Sequence, residues 1–118
     1  MIDIQERTLG FGVRIVKFCL GLYKKYEFKI LLNQLIRSGT SVGANMEEAD
    51  GAVSKKDFIN KVSVAYKESR EALYWMKIFK KADLLHNDKN LEVLSDLLKE
   101  GEEIRKILGA ILKKAKNN

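Results

Sequence analysis

Few side chains in this sequence could do proton or metal chemistry near neutral pH, and their spacing does not favour it. There is one histidine, His86, with Asp83 three residues before it. A di-iron carboxylate centre in a helical protein needs Glu-x-x-His pairs on two helices, which a single histidine in a connecting segment cannot supply. There is one cysteine, Cys19, with no second cysteine and no histidine near it in sequence. Its simplest role is that of a small apolar core residue. The glycines around position 40 are not followed by Gly-Lys-Ser/Thr, which rules out the common phosphate loop, and no serine-nucleophile or dinucleotide motif is assigned. The sequence predicts a protein that is not an enzyme, with no catalytic residue, metal, cofactor or small-molecule substrate.

Electrostatic chemistry remains. Arg7, Arg14, Lys17, Lys24 and Lys25 fall within an arc of roughly 100° at 3.6 residues per turn. They form a basic stripe on the first predicted helix, and Lys113, Lys114 and Lys116 add a basic tail at the end of the last. Such cations can neutralise phosphates and release counterions with little reading of sequence. The same pattern also describes a solvated helix face. Lys67, Glu68, Arg70 and Glu71 read as a charged face with intrahelical pairs.

The bulk properties are compatible with either reading. The formal net charge is +6 and the pI about 9.4, which permits RNA, DNA or another acidic partner without demanding one. The 118 residues suit one domain, 1–118, and 46% hydrophobic with 32% charged residues suits a soluble one. No apolar run approaches the ~18 residues of a membrane span, and no signal peptide is expected at the start. A lone cysteine precludes an intrachain disulfide, so the expected location is cytoplasmic.

The elements that must position these residues are helices. There is no proline in the chain. The stretch Ser38 to Ala49 is rich in Gly, Ser, Thr and Asn, yet Phe28, Leu32, Leu35, Gly39, Val42, Met46 and Ala49 step through it by fours and threes. That is the seam of a packed helix over about 28–51. Gly39 and Gly43, one turn apart, would let a neighbouring helix come close, with Ser38, Ser41 and Asn45 able to hydrogen-bond across the contact. Glu47, Glu48 and Asp50 crowd the C-terminal turn, where the dipole disfavours them, and should find partners on the next helix. Gly51 reads as a C-cap.

The first helix should start at Asp3 and carry Leu9 or Phe11, then Ile15, Phe18 or Cys19, Leu22 and Tyr26. Ser54 with Asp57 resembles a capping box opening a third helix to about Lys81. Asn87 or Asp88 opens a fourth, to about Lys116. Short loops between comparable helices predict an all-α, antiparallel up-down-up-down four-helix bundle. Residues 72–79 are apolar nearly all round, so Leu73, Tyr74 and Trp75 are candidates for a subunit interface. The alternative is a filled monomer core with Tyr74 and Trp75 at its margin. Base stacking by either ring is the less favoured use.

The run from Asn33 to Ala49, NQLIRSGTSVGANMEEA, resembles the signature of a four-helix-bundle family first known as proteins encoded in intervening sequences of bacterial 23S ribosomal RNA genes, once labelled S23 ribosomal proteins. Residues 54–59, 67–76 and 3–8 fit the same pattern, so the resemblance covers nearly the whole chain. Met46 replaces the usual Ile or Val, and Gly10 and Gly12 fall where bulkier residues are common. The resemblance implies a homopentamer and kinship with the accessory protein of diversity-generating retroelements, a basic pentamer that engages a reverse transcriptase and nucleic acid. It brings no catalytic residues. Ser38, Ser41, Asn45, Ser69 and Glu71 carry over as structural polar contacts.

The expected function is therefore non-enzymatic: an oligomeric bundle binding structured RNA or a nucleoprotein partner, such as a reverse-transcriptase-like protein, through its basic surfaces. A protein-interaction scaffold with no nucleic-acid role is the alternative.

Overall fold

In a computed structural model, which describes residues 3–117 and only the backbone of Tyr26, the chain folds into four helices. They are α1 (Ile4–Leu22), α2 (Lys29–Asp50), α3 (Lys55–Lys81) and α4 (Asp88–Lys116), with a 3-10 turn at Tyr26–Phe28. The links of six, four and six residues leave room only for each helix to fold back on the last. Each helix packs chiefly on its neighbours in sequence, and α1 closes the ring against α4. The result is an antiparallel four-helix bundle measuring 47 × 23 × 21 Å. No strand occurs among the described residues.

The caps explain where the helices begin. Asp3 accepts from the Gln5 N–H, Ser54 from Asp57 and Asn87 from Asn90, as these residue types favour. Asp57 reaches back to the Val53 N–H at 3.3 Å. Gly51 caps α2 but with φ −95°, so no left-handed turn is needed there. The left-handed position is instead Asp83, at φ 56°, one residue past the α3 C-cap. Its N–H bonds to Lys80 O at 3.2 Å and that of Leu84 to Phe79 O at 3.2 Å, the paired bonds of a Schellman ending.

The core follows the four-three spacing. Phe11 rather than Leu9 is buried in α1, followed by Ile15, Phe18, Cys19 and Leu22. Tyr26, expected at the end of that stripe, lies in the 3-10 turn, and its side chain is outside the described residues. In α4 the buried stripe is Leu94, Leu97, Gly101, Ile104, Leu108 and Leu112. The α1–α2 approach is close, as the small residues predict. A Cβ on Gly43 would lie 3.1 Å from Thr8 O, and one on Gly39 3.0 Å from the Ile15 side chain.

The polar residues of α2 behave differently from expectation. Ser38 donates to Gln34 O at 2.9 Å, and the Asn45 amide to Ser41 O at 2.8 Å. Both bonds return to their own helix, because an i−4 carbonyl is already within reach of a short side chain. Of the carboxylates at the end of α2, Glu48 finds Lys61 at 2.8 Å. Glu47 and Asp50 form no ion pair among the described residues.

Candidate nucleic-acid interface

The five α1 cations do not share one environment. Arg7 turns to α4, where Nε and Nη2 each reach a Glu100 oxygen at 2.7 Å and Nη2 also reaches Glu103 at 2.9 Å. This bidentate pair ties α1 to α4 and uses the guanidinium's planar fork. The bond to Glu100 raises the Arg7 pKa above its ordinary value. Lys25 sits with Nζ 5.6 Å from the centre of the Phe28 ring. Arg14, Lys17 and Lys24 are exposed and form no ion pair among the described residues.

Lys113, Lys114 and Lys116 are also exposed, but the fold keeps them away from the far end of the α1 row. Lys116 lines a groove with Ser54 and Asp57 beside the α2–α3 link. Lys24 and Lys25 line one with Leu85 and His86 beside the α3–α4 link. These links lie at opposite ends of the bundle's 47 Å axis, so the two groups of cations cannot grip one short ligand segment.

The three interface candidates separate as well. Leu73 is only 2% exposed and packs so closely on α4 that a Cβ on Gly101 would lie 2.9 Å from its Cδ2. It is monomer core, because the glycine on α4 opens a space for it that the α3 sequence alone does not reveal. Trp75 is half-buried and donates from Nε1 to Glu71 at 3.0 Å. Tyr74 is 56% exposed and meets Trp75 edge to face at 5.2 Å.

Sequence reasoning also misassigned the charges near these rings. Glu68 and Glu71 pair across the α2–α3 contact with Arg37 rather than with Lys67 or Arg70. That frees Lys67, while Arg70 lies over Tyr66 at 5.9 Å. A row on α3 was missed: Lys67, Arg70, Tyr74, Lys77 and Lys81 recur at the three-four spacing that marked the cores, but all are exposed. On α4, Lys99 and Lys106 face the same groove as Lys77 and Lys81. The same periodicity, applied to the charged positions, would have found them.

A hydrophobic row was missed too. Leu9 (66% exposed) and Leu20 (61%) stand on the outer face of α1, with Val13 between them. Beside them, a cavity of about 360 Å³ between α1 and α2 is floored by Gly12, Thr40, Gly43 and Ala44.

Gly39-Thr40-Ser41-Val42-Gly43 has the letters of a Gly-x-Ser-x-Gly nucleophile turn, which the sequence reading passed over. It lies inside unbroken α2, without the strand-to-helix turn that lifts the serine out, and the one histidine is in the α3–α4 link. Burial pushes the Cys19 thiol up to about 12, so it is not a nucleophile near neutral pH. Among the described residues no three His, Cys, Asp or Glu side chains converge as metal ligands. No described helix is long and apolar enough to cross a membrane.

Comparison with known proteins places these features in a family context. A family model described as 23S rRNA-intervening sequence protein matches residues 2–110. Among solved structures, the chain is similar to a protein of unknown function from the S23 ribosomal protein family of Bacteroides thetaiotaomicron VPI-5482. The identity is 35%, over 94% of this chain and 99% of that one, with a TM-score of 0.80. No curated protein matches the chain.

Proposed function

Because the chain belongs to the 23S rRNA-intervening sequence protein family, we propose that it is a non-enzymatic RNA-binding bundle that holds its ligand by the phosphates. The observation that carries this reading is the set of cations without carboxylate partners. On α1, Arg14, Lys17 and Lys24 are exposed and uncommitted, unlike Arg7. The charge surplus is also unevenly placed. Residues 1–50 hold seven cations against six carboxylates, and residues 51–118 hold fifteen against ten. Binding of this kind is driven by counterion release and discriminates poorly between sequences.

The test is a titration with a fluorescent RNA hairpin. The R14E/K17E double variant should bind on the order of ten-fold more weakly at low salt, and its salt dependence should be shallower. Unchanged affinity would remove α1 from the interface.

The exposed row Leu9, Val13 and Leu20 favours a second reading: self-association through the α1–α2 groove, which Lys17 also lines, so a second copy and RNA would compete for that part of α1. A small-residue floor lets a helix of a second copy approach closely, and the apolar row would leave water on contact. Five copies, the number the family resemblance implies, would multiply the basic faces left exposed and raise avidity. Light scattering of wild type and of L9D/L20D measures this. The variant should lose mass relative to wild type, and equal masses would exclude the α1 row as the contact.

A further inference from the structure

We propose that the α3/α4 face is a single-stranded RNA site, with Tyr74 the platform for an unpaired base and the flanking cations its phosphate contacts. The proposal rests on the RNA-binding reading above and gives it a second, chemically distinct surface.

Lys67, Arg70, Lys77 and Lys81 flank Tyr74 at intervals of three and four, so five side chains line one exposed edge of a single helix. At 1.5 Å per residue the row is about 21 Å long, enough for several successive phosphates. Lys67 and Lys81 have no carboxylate partner among the described residues, and Lys77 reaches Glu102 only at 3.7 Å. Lys99 and Lys106 extend the positive surface across the α3/α4 groove.

An aromatic side chain 56% exposed amid cations is not needed by the core. It is nonetheless held: Trp75 abuts it at 5.2 Å, Glu71 fixes the Trp75 indole, and Arg37 fixes Glu71. A braced ring loses little freedom when a second ring stacks on it, which favours binding. Beside it lies a cleft of about 410 Å³ lined by Arg70, Leu73, Tyr74, Lys77, Glu102 and Arg105, with the size for a planar group and charged hydrogen-bonding groups at its edges.

Repeating negative charge suits the lysines, and an accessible π-face suits the tyrosine. A nucleic-acid strand offers both, and a duplex hides its base faces inside the stack. Cations tracking the backbone with an aromatic among them are the general arrangement for binding single strands without sequence preference.

The experiment titrates the 118-residue protein against a fluorescent oligouridylate and a blunt RNA duplex, using wild type, Y74A, Y74F, K67A/R70A and R14E/K17E. The expected result is that Y74A binds the oligouridylate about ten-fold more weakly, while Y74F keeps the wild-type affinity. Y74A should leave duplex binding and the salt slope unchanged, whereas K67A/R70A should flatten the single-strand slope by about 0.7 per cation. Wild-type affinity of Y74A for the oligouridylate would overturn the proposal, as would an equal loss on both probes. If R14E/K17E still weakens duplex binding in that case, the broader RNA reading stands. If wild type binds neither probe, both fall.

Discussion

Arg37 joins Glu68, at 3.0 Å, and Glu71 on α3 from its place on α2. Glu68 is buried, so removing the guanidinium strands a carboxylate away from water. Arg37→Ala should destabilise the fold by about 2 kcal/mol in denaturant unfolding, and Arg37→Lys should recover only part, since an ammonium cannot serve both carboxylates in one plane. Cys19 gives a second residue-level expectation. Its thiol, pushed up to about 12, should resist alkylation at pH 8 until the protein unfolds. The sign follows from charge burial: the neutral thiol is favoured in the fold, so stability is full below the unfolded thiol's pKa near 9 and declines as pH rises toward 12. Capping residues were legible at this scale, because a cap is a local property of Asp3, Ser54 and Asn87. The partners of Arg7, Arg37 and Glu68 were not, because ion pairs between helices depend on rotations that no one helix's sequence sets.

At the scale of elements, the α1–α2 contact decides which glycines matter. Gly43 faces the α1 backbone, 3.1 Å from Thr8 O for an added Cβ, so one helix must shift to admit it. Gly43→Ala should cost about 1 kcal/mol even after the gain in helix propensity. Gly10 and Gly21 have nothing within 4 Å of an added Cβ. Alanine at each should raise stability by up to about 1 kcal/mol, so thermal melts of the three variants should move in opposite directions. All four helices could be read from apolar spacing, which overrode the poor propensity of Ser38 to Ala49. Leu73 could not be placed, because its burial depends on Gly101 of another helix. Asp83 could not be foreseen in a left-handed turn, since aspartate only tolerates that conformation where glycine would favour it.

The whole molecule has two unlike sides. The α1–α2 side shows an apolar row, Leu9, Val13 and Leu20, beside the α1 cations, and the α3–α4 side shows unpaired lysines around Tyr74. An assembly through the apolar row of α1 would present the α3–α4 side, several times over, to a polyanion. The basic composition and the α1 stripe were legible from the chain, but the contrast between the sides was not, since it depends on which cations find carboxylates. The central claim is that these surfaces hold RNA by its phosphates. The measurement that tests it most directly is the affinity of the wild-type protein for an unstructured RNA at about 50 and 200 mM salt. With about four phosphates neutralised on a single strand, affinity should fall about fifty-fold between the two. Binding of equal strength at both, or no binding at the lower, would contradict the account.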